Sequence, residues 1–512
     1  MKLCMYEGYI RNQKNLLCEL SLEEGASRRE TEERIILKGF EVWGPDMALH
    51  LYGSFAIVLK DDDRLFCIRD AFGIEDLYYR ITAKGELIYS SDIKTIARDP
   101  WYTGGIDPDA LQLYCMFGYP AGEKTLFKGI RKLLPGRYLR FENGTAVTKI
   151  WFKPGFRPED GTDADKWADE IEGCFEEILR EDGQNLDPSE CISFLSGGVD
   201  SSYLLATAGI QSAFTMDFEQ ASLRESVFAQ ETADALGAAL NVLNITPGMY
   251  FDAIPQFLRC TGLPVVDSAG IAFYMGCKKI EKEITDKRIL FSGEGADEFF
   301  AGYHVYKRYA ELGMGDEPKY FGCDGVMPRE EAMLLLHQET AFPVRELLQE
   351  IFNPSEDALS HMLSADIALW LEGDILMCTK AARGCGLTLV LPYSDMRMFD
   401  ISSRMPSGLK LKDDIGKFAL RYAAERKLPK ETVYRKKAGY LVPVIKWFRD
   451  PLYTDRIRST IFGDTSRLFF DTRILESYWE RFLEDGTREF RIIFAVYIFV
   501  IWYETVYEVV CK

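Results

Sequence analysis

Histidine is scarce, with four in 512 residues, and no two cysteines form a C-x-x-C pair. The twelve cysteines are scattered without any Cys/His pattern at metal-ligand spacing. A zinc site is therefore not expected, and reduced cysteines are the plain reading. Positive charge is also in deficit. A net charge of -19 argues against bulk attraction to nucleic acid or anionic membrane and leaves room only for a local basic pocket. The first residues, MKLCMYEGYIRNQKN, lack an apolar core of signal-peptide length. The most apolar run, Ile492 to Tyr503, ends at Glu504 and is shorter than a bilayer requires. A cytoplasmic protein without nucleic-acid or membrane partners is expected, with a buried helix near its C-terminus. No repeat or low-complexity segment stands out, and the Walker pattern is missing, which excludes an ordinary kinase or ATPase loop.

What is present reads as globular protein, 47% hydrophobic and 28% charged, long enough for about two to four domains. Residues 1–152 carry short β-like runs (Ser54–Leu59, Leu65–Arg69, Leu87–Ser90) between turn signals such as Asp61-Asp62-Asp63 and Lys84-Gly85. They predict a β-rich, sandwich-like domain. Residues 152–165, dense in Pro, Gly and Asp, read as a linker. Beyond it strands alternate with helices, the signature of a doubly wound parallel sheet. The strands expected are Cys191–Leu195, Ala213–Phe218 and Arg288–Phe291; the helices are Trp167–Arg180, one from Ser201 to Ala208, and Phe228–Leu236. From about Arg329 the pattern is mostly helical, with Met362–Met377 and Ile415–Glu425 clearest. The second domain is taken as 166–512.

The strongest chemical signal follows the strand CISFL. Leu195-Ser196-Gly197-Gly198-Val199-Asp200-Ser201-Ser202 turns from a strand into a helix. Glycines admit a ligand close to the backbone, and a helix N-terminus offers free N–H groups to an anion. The three serines add hydroxyl donors. Asp200 would repel bare phosphate but suits Mg²⁺, which takes one or two carboxylates alongside phosphate oxygens. A lone Gly-Gly turn would mean little; this composition at a strand–helix junction points to nucleotide. A second segment, Ser292-Gly293-Glu294-Gly295-Ala296-Asp297-Glu298 followed by Ala301-Gly302-Tyr303, concentrates acid after another strand. For Glu298 alone, an acidic helix cap is the bland reading. A third, Tyr434 to Pro443, holds Arg435, Lys436 and Lys437, a basic cluster that makes sense facing polyphosphate in so acidic a chain.

These three segments resemble the pyrophosphate loop, the SGEGxDE…GGY signature and the R-x-K-x-G-F-x-x-P segment of asparagine synthetases and their relatives, in the ATP-pyrophosphatase superfamily. The resemblance implies ATP cleavage between the α- and β-phosphates, an acyl-adenylate and amide-bond formation. It implies Asp200 and Asp297 on Mg²⁺, and Leu195, Ser196, Gly197, Gly198, Ser201, Ser202, Met216, Ser292 and Gly293 around ATP and pyrophosphate. By the same resemblance Glu294 would be the proton acceptor for the incoming amine, and Lys437 would stabilise charge on the transition state and pyrophosphate. Smaller matches are Thr215–Phe218, Glu225-Ser226, Gly262–Ser268, and the Lys417 and Arg421 helix.

Arg69–Tyr79, Ser91–Lys94 and Lys128–Gly136 are similar to the glutaminase domain of such enzymes. That chemistry needs an N-terminal cysteine whose free amine acts as base. Here residue 2 is Lys2, Cys4 reads as an ordinary cysteine, and the glutamine-binding N-G-E-I-Y-N appears as Glu7-Gly8-Tyr9-Ile10-Arg11-Asn12. A degenerate glutaminase-like domain at 1–152 is expected. In the acceptor segment, Thr379, Thr388 and Val390 replace the family's Asp, Glu and Arg, which argues against free aspartate as substrate unless these positions only pack the core. The pattern resembles β-lactam synthetases and lasso-peptide macrolactam cyclases. Glu294 stands where the former carry Tyr, which favours a peptide cyclase or other amide ligase. The expected partners are a small-molecule or peptide carboxylate and an amine, with peptide-processing proteins and a homodimer both compatible. Ammonia-dependent asparagine synthesis and a non-catalytic nucleotide-binding scaffold are the alternatives.

Overall fold

The run Phe55-Ala56-Ile57-Val58-Leu59 is apolar on both faces, so a strand built from it must be covered twice. The computed structural model describes residues 1–219, 224–312, 322, 325–338, 340, 342–351, 356–435 and 442–511, and there the strand is covered twice. A five-stranded antiparallel sheet joins β1 (Lys2–Ile10), β2 (Gly53–Asp61), β3 (Arg64–Arg69), β7 (Arg137–Glu142) and β8 (Thr145–Ile150) in that order. A smaller sheet, β5-β4-β6, contains β4 (Tyr78–Ile81), β5 (Leu87–Ser90) and β6 (Arg131–Lys132). Ala56 and Val58 of β2 pack with Leu77, Tyr79 and Leu133 between the sheets. Phe55, Ile57 and Leu59 face the other way, onto Ile35, Ile36 and Phe40 of the helix Arg28–Trp43. The sandwich is thus faced by a helical layer that the β-like runs did not suggest. That helix starts at Ser27, whose side chain accepts the Glu30 N–H.

Residues 151–163 form neither strand nor helix. After the helix Ala164–Asn185 comes a five-stranded sheet of β9 (Cys191–Phe194), β10 (Ser212–Phe218), β11 (Ala239–Ile245), β12 (Ile289–Phe291) and β13 (Thr388–Val390). Its order is β11-β10-β9-β12-β13 and every pairing is parallel. Strands are added outward from β9 in one direction and then, from β12, in the other. In open α/β sheets, ligands bind at the carboxyl ends of the strands flanking that reversal.

Two helical expectations change in detail. Met362–Met377 lies in one continuous run, Ala358–Asp366 and Glu372–Gly384 joined by a π-helical turn at Ile367–Leu371. In the other segment, Ile415 and Gly416 pair with Leu411–Lys412, and the helix begins only at Phe418. Lys417 before it has φ of 59°, a left-handed conformation rare outside glycine. The apolar C-terminal stretch is also longer than its composition implied. Thr487–Cys511 forms 25 helical residues, by length and composition enough to cross a bilayer, but 67% of its most apolar window is buried inside the protein.

Candidate active site

The loop after β9 and the loop after β12 lie side by side at the reversal of strand order. Gly197 has φ of 72°, and a Cβ there would stand 2.7 Å from Cβ of Phe228, so only glycine fits the turn. The serines brace the loop. Ser201 Oγ accepts the Ser196 N–H at 3.1 Å and lies 3.1 Å from Ser196 Oγ. The helix Val199–Ala208 then begins with Gly198 as its N-cap, without side-chain capping. Among the described residues its first N–H groups therefore have no side-chain cap, the arrangement that suits an anion. Ser202 Oγ is buried and has no hydrogen-bond partner among the described residues.

Asp200 and Asp297, far apart in the chain, meet. Lys417 Nζ lies 2.6 Å from Asp200 Oδ2 and 2.8 Å from Asp297 Oδ1. The ammonium is 2% exposed, the carboxylates 18% and 20%. One cation thus bridges the two acids expected to share a metal. Asp200 Oδ1 is buried without a hydrogen-bond partner among the described residues, which leaves an acceptor directed into the site. The backbone closes tightly over this cluster: a Cβ on Gly302 would fall on Asp297 Oδ1 and Lys417 Cε. The Gly in Ala301-Gly302-Tyr303 is therefore there for close approach. Hard carboxylate oxygens in this number fit Mg²⁺, which commonly completes its shell with water and phosphate. Among the described residues no cluster of three or more His, Cys, Asp or Glu could hold a metal by itself.

Glu294 sits across the same cleft. Its Oε1 accepts from Ser292 Oγ at 3.1 Å, and its backbone carbonyl accepts from Ser394 Oγ at 2.9 Å. Its side chain also hydrogen-bonds to Asp374 of the helix Glu372–Gly384. Burial, together with the nearby Glu294 and Asp267 carboxylates, raises the Asp374 carboxyl well above its usual range. Two carboxyls this close hold a proton more readily than either would alone. Glu298 is not the exposed cap that its position allowed. It is buried, accepts from the Tyr303 hydroxyl at 2.6 Å, and is pushed up to about 8 by burial and by Asp297.

The remaining expected residues fall as follows. Leu195 and Met216 are buried just after β9 and in β10, and a Cβ on Gly293 would stand 3.5 Å from Cβ of Asp200. Ser292 hydrogen-bonds through its N–H to the Val390 carbonyl. Asp217 accepts from Ser226 Oγ and from its N–H, which fixes the start of the helix Glu225–Leu236. Lys437, with residues 436–441, lies outside the described residues. Its segment still reaches the loop: Arg435 donates to the Gly197 carbonyl at 3.2 Å and stacks over Phe228 at 4.2 Å. Of the acceptor positions, Val390 is a core residue of β13, while Thr379 and Thr388 lie elsewhere on the helix Glu372–Gly384 and on β13. They line a cavity of about 300 Å³ against Glu7, Arg28 and Glu75 of the N-terminal unit. The charge lost there is lost from an interface between the two halves. Sequence reasoning did not single out Asp374, Tyr393 or Ser394, and it had Arg435 only as one member of the basic cluster. Tyr393 donates to the Asp200 carbonyl at 3.1 Å, so Tyr393-Ser394 ties both loops together.

Comparison with known proteins accords with this arrangement. The asparagine synthase family model matches residues 187–504, and a glutamine amidotransferase domain model matches residues 2–152. Asparagine synthetase [glutamine-hydrolyzing] 1 of Bacillus subtilis (strain 168) is 28% identical over 98% of this chain and 85% of its own length. A putative asparagine synthetase [glutamine-hydrolyzing] of Mycobacterium tuberculosis (strain ATCC 25618 / H37Rv) is 26% identical over 98% and 84%. Amidase chyE of Penicillium rubens is 25% identical over 53% and 43%. Site and likeness together define a class, the ATP-dependent ligases that join carbon to nitrogen. The chain belongs to the asparagine synthase family.

Proposed function

We propose that this enzyme adenylates a substrate carboxylate with ATP, releases pyrophosphate, and joins the acyl group to an amine carried by the substrate, as in peptide macrolactam formation. The observation that carries the reading is the convergence of Asp200 and Asp297 on one cation beside the loop after β9. Free N–H groups of the helix Val199–Ala208, with Ser196, Ser201 and Ser202, bind the phosphates. Asp200 and Asp297 hold Mg²⁺, which neutralises polyphosphate charge when bound. Lys417 is then free to follow the departing pyrophosphate, and Lys437 to join it. Glu294 takes the proton from the attacking amine, and Asp374 holds the proton that keeps the pair singly charged.

Supply of ammonia from glutamine does not suit the N-terminal unit. Glu7 and Tyr9 stand in the place of the expected Asn and Glu, and the Tyr9 hydroxyl is spent on Asp182 at 2.9 Å. Cys4 is exposed on β1. A second reading, asparagine made from aspartate and ammonia, is favoured by the length of the match to relatives named as asparagine synthetases. Pyrophosphate release decides between them. Peptides bearing an Asp or Glu side chain should support it, and aspartate with ammonium chloride should not; the opposite pattern overturns the first reading.

A further inference from the structure

The helix Glu372–Gly384 is held on one side and functional on the other. Glu372, Lys380 and Arg383 fall on one face of an α-helix. All three are ion-paired to the N-terminal unit. Glu372 accepts from Arg69 at 2.5 Å and from Lys132 at 2.6 Å, with all three side chains at most 3% exposed. Lys380 Nζ stands 3.0 Å from Asp76, and Arg383 pairs with Glu75. Asp374 and Cys378 project from the opposite face, rotated by about 200° and about 240° from Glu372. Asp374 there hydrogen-bonds to Glu294.

The anchoring turn is itself rigid. The Asp70 carboxylate accepts the N–H groups of Phe72, Gly73, Ile74 and Glu75 at 2.7–3.1 Å. Arg69 adds bonds to the carbonyls of Glu75 at 2.6 Å and Leu133 at 2.7 Å. Burial opposes charge on Glu372, yet Lys132 and Arg69 hold its carboxyl down at about 2. The contact is therefore a charged, fully buried lock whose geometry is fixed from the N-terminal side. Just before it lies the π-helical turn Ile367–Leu371, a rare local widening of the helix.

We propose that the Arg69–Asp76 turn and Lys132 are positioning elements of the ligase site, setting the rotation of the 372–384 helix so that Asp374 meets Glu294. The inference rests on the ligase reading of Glu294. It gives the N-terminal unit a task in amide formation that needs no glutamine hydrolysis.

The test uses the full chain. Arg69→Met risks misfolding, and Asp76 also faces the buried Arg69 guanidinium at 3.5 Å, so Asp76→Asn is the working variant with the charge-keeping Asp76→Glu as rescue. Hydrogen exchange of amides 372–384 should quicken in Asp76→Asn while helix 199–208 keeps its protection. With a carboxylate probe (aspartate plus ammonium chloride, or an Asp- or Glu-containing peptide), kcat for pyrophosphate release should fall about tenfold to a hundredfold with KM for Mg·ATP unchanged. Asp76→Glu should recover both. An active wild type whose Asp76→Asn variant keeps its exchange and kcat, or changes KM for ATP together with protection everywhere, overturns the proposal alone. A wild type silent with every probe overturns the ligase reading and this proposal with it.

Discussion

Lys417 is the sharpest place to test whether Asp200 and Asp297 share an ion. Substituting Met keeps the length of the side chain and leaves the left-handed backbone strain at residue 417 as it was, so the change removes the ammonium and little else. Both carboxylates contact that one nitrogen, and each is four-fifths buried. Two negative charges about 5 Å apart repel by about 3 kcal/mol at an effective dielectric constant of about 20. A divalent ion entering between them recovers that energy, whereas in the unmodified enzyme it must first displace the ammonium. About 3 kcal/mol corresponds to about a hundredfold in affinity. Calorimetric titration of Mg²⁺ or Mn²⁺ at pH 8 without nucleotide should therefore show Lys417→Met binding up to a hundredfold tighter than the parent. Asp200→Asn in the same background should abolish the gain. Equal affinities in parent and Lys417→Met, or a gain that survives Asp200→Asn, would refute the shared site.

Asp200→Asn alone should leave the circular dichroism spectrum unchanged and lower AMP formation by at least about a hundredfold, because the carboxylate acts on the polyphosphate and not on the fold. Gly302→Ala should lower the melting temperature and abolish pyrophosphate release together, since its Cβ lands on the Asp297–Lys417 pair. Glu298→Gln makes a pH-dependent difference whose sign is fixed. The folded carboxyl titrates near 8 and the unfolded one near 4.3, so the native state binds the extra proton and loses stability as pH rises between those values. The amide does not titrate. Its advantage over the parent should therefore grow from pH 5 to pH 8 and level off above, by roughly a few kcal/mol, as read from urea midpoints. A pH-independent difference would mean that Glu298 is ionised in the folded protein throughout.

The parts of the fold that could be read from sequence are those whose local chemistry is self-sufficient. Ser-Gly-Gly after an apolar strand needs no tertiary information, and β9, β10 and β12 appear within a residue or two of their expected limits. The helix Arg28–Trp43 was equally legible, since Ser27 and Glu30 form the Ser-x-x-Glu start signal, but the surrounding β-like runs drew the reading elsewhere. The glycine at 302 could be seen as part of a motif; that it serves the approach of Asp297 to Lys417 could not. Glu298 shows the opposite limit. A carboxylate in a helix's first turn is ordinary on a surface, and only the tertiary fold makes this one a buried acid with the Tyr303 hydroxyl on it.

The acceptor segment marks where a local pattern stops being informative. Loss of charge at 379, 388 and 390 argues for a different acyl substrate only where those positions line its pocket and do not merely pack the core. The rule is sound, but the space in question belongs to the interface of the two halves, where Thr379 and Thr388 face Arg28 and Glu75. Nothing in a local pattern says which cavity a residue faces; that depends on the rotation of the 372–384 helix, set by Arg69, Asp76 and Lys132 from some 240 to 310 residues away in sequence. The acid that does face the chemistry, Asp374, lies one turn before the segment that drew attention. On the proposed reading Asp374 and Glu294 share one proton and present a single negative charge to the incoming amine, a pairing that lasts only while the 372–384 helix keeps its rotation.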